Sequence, residues 1–322
     1  MRVVFFGTPI FAVPSLQILL QRSEFEVVAV VSQPDRPQGR GRKLLPTPVK
    51  AQAQEHQIPV WQPNRLRKDE EALTALKLTH ADVFVVVAYG QILSPQVLSM
   101  PRLGCVNVHG SLLPAYRGAA PIQWAIARGE TETGITTMLM DEGMDTGAML
   151  LKAALPITPE QTTADLAALL APLGADLLVE TLLQLDAGSI TPTPQDPDLA
   201  TYAPLIKPDD FHLHWEKSAW DLHNQIRAFY PQCYSGWQGE RLKILRSDPP
   251  IADPSQASVA EAGMITAIQK GEGFSVQTGT TSLRIREVQM AGKRAQSAWD
   301  FANGVRLEVG QKLEPLVAEG AV

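Results

Sequence analysis

The sequence predicts an α/β chain of two domains: a parallel sheet covered by helices on both faces, then a smaller β-barrel. Three observations carry this. Continuous apolar runs such as VVAVV at 27–31 and VFVVV at 83–87 are what strands buried on both faces require, and helical patterns separate them. Beyond residue 205 the apolar runs become short and turn-separated, as in a small barrel or sandwich. The 322-residue length exceeds what one small core organises.

In chain order, Arg2–Gly7 reads as a buried strand closed by glycine, and a helix is expected over about 13–22. Gly7-Thr8-Pro9 is a tight strand-to-helix turn, and no G-x-G-x-x-G follows it, so nothing there marks dinucleotide binding. Strands are expected at 27–31, 82–87, 105–109, 135–140 and 149–151. Thr162 and Asp165 form a capping-box pair before a long apolar-periodic helix that ends near Leu185, with Gly188 beyond. A stretch rich in Pro, Thr and Asp then reads as a linker. The expected division is therefore a first domain at 1–188, a linker at 189–205 and a second domain at 206–322. In the second domain, Ser218 and Asp221 cap one helix, and strands are expected at 242–245, 264–268, 274–277 and 282–288.

Composition narrows the function classes. With 45% hydrophobic and 19% charged residues the chain reads as an ordinary globular protein. Its apolar runs are expected to stop short of a membrane-spanning length, and its first residues enter a strand without a secretory leader, so a cytoplasmic setting is expected. Cys105 and Cys233 stand alone, without the spacing of a zinc site or a disulfide framework. His212 and His214 have no third ligand nearby, so no metal is expected. A net charge of −6 excludes a generally basic surface but not a local basic segment.

Chemistry concentrates in NVHGSLLPAYRGAAP, residues 107–121. Strand alternation points Asn107 and His109 to one side. An amide can donate to a developing oxyanion, and an imidazole can hold or release a proton at working pH. The stretch MDEGMDTG at 140–147 adds an acidic, glycine-punctuated loop whose carboxylate can orient an imidazole. On the residues alone, Asp141, Glu142 and Asp145 compete for that part. A second cluster, Arg36, Arg40, Arg42, Lys43 and Lys50, has Asp35 as its one acid and Gly39 and Gly41 within it. Such a loop suits phosphate contacts or is simply a solvated basic loop.

These motifs resemble those of the folate-dependent formyltransferase family. Residues 107–121 are similar to its Asn-x-His-x-Ser-Leu-Leu-Pro-x-x-Arg-Gly signature, and MDEGMDTG is similar to its acid-bearing motif. The resemblance implies a Rossmann-like parallel-sheet catalytic domain and an OB-like C-terminal barrel that binds tRNA. It implies Asn107, His109 and Asp145 as the catalytic trio. It implies a 10-formyltetrahydrofolate site formed by Ser111, Leu112, Leu113 and Pro114, together with Ala88, Tyr89, Gly90, Gln91 and Ile92. The opening FFGTPIFAVPSL and the stretch QPDRPQGRGRKLLPTPVK at 33–50 resemble the members that formylate methionine on initiator tRNA. In those, Arg36, Arg40, Arg42 and Lys43 would engage the tRNA acceptor end. A monomer with no membrane partner is expected. Another 10-formyltetrahydrofolate enzyme, either a sugar-nucleotide formyltransferase or a formyl-folate hydrolase, and a non-catalytic RNA-binding protein are the alternatives.

Overall fold

A computed structural model describes residues 1–38, 43–250 and 260–314 of the chain. The chain clusters into two compact units. The first gathers Met1–Pro121, Glu132–Leu155 and Ala167–Pro204, and the second gathers Ile122–Thr131, Pro156–Leu166 and Leu205–Val322.

The first half of the chain runs β1 (Arg2–Gly7), α1 (Val13–Gln21), β2 (Glu26–Val31), β3 (Arg36–Gln38), β4 (Lys43–Leu45), α2 (Pro48–Glu55), β5 (Val60–Trp61), α3 (Glu70–Leu78), β6 (Val83–Val87), α4 (Pro95–Leu98), β7 (Cys105–His109), β8 (Arg117–Gly118), α5 (Pro121–Ala127), β9 (Glu132–Leu139) and β10 (Met149–Pro156). Then come α6 (Thr163–Asp186) and β11 (Tyr202–Ala203). One sheet has the order β10-β9-β7-β6-β1-β2-β5. Strands β5, β2, β1, β6 and β7 run parallel, as the unbroken apolar runs require. Their side chains are buried on both faces, with Val3 to Phe6 and Val83 to Val87 at 5% exposure or less. Phe6 packs at the centre against a tilted Phe84 and an edge-on Tyr89, ring centroids 5.3 and 5.4 Å away.

One strand beside the five parallel ones runs the other way. β9 runs antiparallel to β7, pairing Val106 with Leu139 and His109 with Thr136. The chain order reverses between β1 and β6, which places the turns after these two strands at a topological switch point. There Thr8 Oγ1 donates to Tyr89 O at 3.1 Å, tying the turns together.

Thr162 and Asp165 cap α6 reciprocally, as expected from their spacing. α6 is long and apolar enough to cross a membrane by length and composition, with 56% of its apolar window buried; the expectation that no run reaches that length does not hold for it. Its buried side rests on the sheet, where Thr181 and Thr137 hydroxyls lie 2.7 Å apart.

The stretch expected to be a linker is tied to the first unit. Thr193 exchanges two 2.8 Å backbone bonds with Met149, and β11 pairs in parallel with β8. Proline, threonine and aspartate are as apt for such an irregular strap as for a free connector.

The second unit carries α7 (Ala219–Ala228), β12 (Tyr234–Trp237), β13 (Glu240–Ser247), β14 (Ile265–Gln269), β15 (Gly273–Gln277), β16 (Ser282–Met290), β17 (Gln296–Ser297) and α8 (Ala298–Val305). Strands β12-β13-β16-β15-β14 follow one another in an antiparallel sheet. Residues 312–314 close it: Glu314 exchanges bonds with Gly236 of β12, and Leu313 N donates to Gly263 O just before β14. Closure satisfies both open edges and makes the expected barrel. Its interior holds Leu242, Ile244, Phe274, Val276, Leu283, Ile285 and Phe301, all nearly inaccessible.

Helix α7 anchors the 156–166 segment within this unit. Arg227 Nη1 donates to Thr158 O and Gln161 O at 3.0 Å. His223 Nε2 meets Pro159 O and its Nδ1 meets Ser247 Oγ, both at 2.9 Å. Burial, with Arg227 nearby, holds the His223 pKa below its ordinary value. The unfolded chain takes up that proton near pH ~6.5, where the folded one does not. Its stabilising contribution is therefore complete above that range and lost as pH falls through it. Urea unfolding across pH 5–8 checks this: the stability gap between wild type and His223→Gln narrows toward acid, whereas a gap independent of pH contradicts it.

Candidate active site

β7 brings Asn107 and His109 to one face, as alternation requires, and both are nearly buried, at 9% and 6% exposure. The Asn107 carboxamide makes no hydrogen bond among the described residues. Its amide is thus left open to solvent and to a ligand. His109 Nε2 lies 3.0 Å from Tyr116 O, a carbonyl, so this nitrogen donates. Its Nδ1 faces Asp145 Oδ2 at 3.6 Å.

Asp145 reaches this position because β9 is antiparallel. Met140 N donates to Cys105 O at 2.8 Å, at the start of β7, and the excursion 140–148 then returns along the strand. Asp141 Oδ1 accepts from Gly143 N at 3.1 Å and Thr146 Oγ1 at 2.7 Å, so this carboxylate shapes the turn. Asp145 takes a left-handed backbone, φ +54, and its Oδ2 accepts from Gly118 N at 2.8 Å. Of the three acids in competition, Asp145 is the one that meets His109.

The GSLLP turn is held from within. Ser111 Oγ donates to Ala115 O at 2.6 Å, and Thr136 Oγ1 donates to Ser111 O while accepting from Leu113 N. Lys152 Nζ caps Leu113 O, and burial lowers the Lys152 pKa. Ser111 and Leu113 are fully buried and Leu112 half-buried, with a cis bond between Leu113 and Pro114. The Ser111 hydroxyl and the main chain of Leu113 are thus committed to the turn, which leaves the half-buried Leu112 and Pro114 to face a ligand.

The 88–92 stretch lies at the switch point. Ala88, Gly90 and Ile92 are exposed while the Tyr89 ring is in the core. Ala88 and Gly90 have positive φ, +47 and +82. A Cβ at Gly90 would meet only Gln33 Nε2, at 3.6 Å. The Gln91 side chain turns away to Leu66 N and Pro63 O, at 2.9 and 3.0 Å. A cavity of about 440 Å³ lined by Leu76, His80, Phe84 and Met100 contains none of the site residues.

The basic cluster is divided. Arg36 is exposed on β3, which pairs with β4, beginning at Lys43. Arg40 and Arg42 lie outside the described residues. Lys50, counted with this cluster by sequence, is corrected: it pairs with Asp35 at 2.5 Å and with Gln62 at 2.7 Å. Cys105 is buried, its thiol pushed up to about 12 by burial, which rules it out as a nucleophile.

Sequence reading missed the strap at 193–203. Thr201 Oγ1 accepts from Tyr116 N at 2.9 Å, and Gln195 touches both Arg117 and the Asp145 loop. No periodicity or motif marks these residues. A Cβ at Gly118, whose φ is +122, would meet Ala203 O at 2.6 Å. Gly118→Ala therefore lowers stability by about 1–3 kcal/mol in urea unfolding; a neutral substitution contradicts the tight approach.

Among known proteins, the family profile described as formyl transferase matches residues 1–182, and formyl transferase, C-terminal domain, matches residues 205–306. Methionyl-tRNA formyltransferase of Synechococcus sp. (strain JA-2-3B'a(2-13)) is 65% identical, over 98% of this chain and 99% of that protein. The same-named protein of Synechocystis sp. (strain ATCC 27184 / PCC 6803 / Kazusa) is 53% identical, over 95% and 98%. In fold, the chain resembles an N-formyltransferase from Helicobacter canadensis, solved with folinic acid and dTDP-3-aminofucose. That likeness has a TM-score of 0.66 at 20% identity, over 91% of this chain and 100% of that one.

Proposed function

The chain belongs to the formyl transferase family, and from that premise we propose that it transfers the formyl group of 10-formyltetrahydrofolate to the α-amino group of methionine on initiator tRNA, for translation initiation. The observation that carries the reading is the meeting of Asn107, His109 and Asp145 on one face of β7. The residues present fit the folate co-substrate: the open main chain at Ala88 and Gly90 admits a flat ring, and the unpartnered Asn107 amide suits a formyl oxygen. The proposal calls for no metal.

10-Formyltetrahydrofolate supplies the formyl carbon. As the methionine amine adds to that carbon, negative charge builds on the formyl oxygen, and Asn107 donates to it. A single such donor is worth about 10²–10³ in kcat. His109, anchored through Nε2 to Tyr116 O, keeps Nδ1 for the proton that leaves the amine and returns to the departing folate nitrogen. Once Nδ1 has taken that proton, Asp145 Oδ2 faces it and holds the ring in place. Its 3.6 Å separation from Nδ1 lies outside hydrogen-bond length, as is usual before reactants bind. Holding two reactants together and stabilising the oxyanion provide the acceleration.

Arg36, Arg40, Arg42 and Lys43 form the tRNA contact of this proposal, as cations of the sequence segment 36–43 that follows β2. The second domain is its other tRNA-binding part, with the domain division at 1–188, 189–205 and 206–322. A cytoplasmic monomer without a membrane partner belongs to the same proposal. The folate contacts are assigned to Ser111, Leu112, Leu113 and Pro114 and to residues 88–92.

The direct test incubates the protein with 10-formyltetrahydrofolate and methionyl initiator tRNA and assays formyl-methionine after base release. His109→Ala lowers kcat by at least ~10²-fold while tRNA binding persists. Formyl passed to a sugar amine or to water instead of methionine overturns the tRNA assignment. Replacing Arg36, Arg40 and Arg42 together by Ala weakens tRNA use and flattens its dependence on salt; an unchanged salt slope removes the segment from the tRNA contact.

A further inference from the structure

We infer that Gln195 is a positioning residue for this site, its amide holding the left-handed backbone from which Asp145 reaches His109 and Gly118. The inference rests on the function proposed above. Gln195 lies between the two family matches, which cover 1–182 and 205–306.

The geometry is specific to an amide. Gln195 Nε2 donates to Asp145 O and to Gly147 O, both at 2.8 Å. Its Oε1 accepts at 2.9 Å from Nε of Arg117, a guanidinium only 5% exposed. Two donated bonds and one accepted bond require a group with both an NH₂ and a carbonyl oxygen. Glutamate would satisfy Arg117 but present an acceptor to two carbonyls. Leucine would satisfy none of the three.

These bonds act on a strained residue. Asp145 has φ +54, a conformation non-glycine residues adopt rarely and keep only when surrounding contacts hold it. The bonds to the carbonyls of Asp145 and Gly147 bracket the peptide units on the far side of that torsion. When the torsion relaxes, the carboxylate swings from His109 Nδ1, 3.6 Å away, and from Gly118 N, 2.8 Å away. Arg117 precedes Gly118, so Gln195 joins both loops that meet at the carboxylate.

The strap stays in place without this side chain. Thr193 bonds twice to Met149, Arg117 N donates to Thr201 O at 2.8 Å, and Ala119 N donates to Ala203 O at 2.9 Å, all through main chain. Loss of the amide therefore separates positioning from folding.

The test compares wild type, Gln195→Leu, Gln195→Glu and Asp145→Asn in the full chain, using 10-formyltetrahydrofolate and methionyl initiator tRNA across a pH series. Both Gln195 variants lose kcat on the order of 10²-fold, keep KM for both substrates, still unfold in one cooperative thermal transition at a midpoint lowered by the unsatisfied partners, and give the pH–kcat profile of Asp145→Asn. A second readout needs no substrate: in Gln195→Leu the NMR signals of the His109 imidazole move to their Asp145→Asn positions. Wild-type kcat and pH profile in Gln195→Leu, or unmoved His109 signals, overturn the inference. A wild-type protein that transfers no formyl group overturns the functional reading instead, and the NMR comparison still decides the part played by Gln195.

Discussion

The site depends on one contact, the 2.8 Å hydrogen bond from the Gly118 amide to Asp145 Oδ2. It joins the turn that leaves β7 directly to the excursion that leaves β9, a link that Gln195 reinforces from the strap. Each end has a conformational cost. Gly118 sits at φ +122 with Ala203 O where a side chain would begin, and Asp145 sits at φ +54. Strain of this kind persists only where the surroundings over-determine it. Here the surroundings are the strap at 193–203 and the Gln195 amide.

The scaffold explains why the carboxylate can arrive at all. Five parallel strands make a rigid floor, and in β1, β2, β6 and β7 most side chains are buried. The antiparallel β9 then starts its exit loop beside Cys105, at the far end of β7 from His109. The chain must climb back along β7, and the turn built on Asp141 sets the pitch of that return. Asp145 then meets His109 at 3.6 Å, so the site is laid along a strand face as well as at a strand end.

How much was legible in the sequence follows from the range of each signal. Strands buried on both faces leave unbroken apolar runs, so β1, β2, β6 and β7 were readable to within a residue. The Thr162 and Asp165 cap was readable because its partners lie three residues apart. Strand direction leaves no such mark, since a buried strand reads the same either way, and the antiparallel course of β9 was not legible. The type of each site residue was legible, and the motif resemblance pointed to Asp145, but residue types alone could not separate it from Asp141, because that choice rests on a turn that folds Asp141 onto Thr146. Lys50 looked like its basic neighbours because its partners, Asp35 and Gln62, become adjacent only when β2 and β5 pair. Gln195 was hidden for the same reason: its partners lie about fifty and eighty residues away, in a stretch whose composition suggested a free connector.

The central claim is that His109 and Asp145 act as one unit on the transferred proton. Single-turnover formyl transfer by His109→Ala, by Asp145→Asn and by the double variant tests it most directly. Groups that work as a unit lose their effect together, so the account predicts that the double variant is no slower than the slower single variant. Losses that multiply would mean the two residues act independently, and would contradict the account.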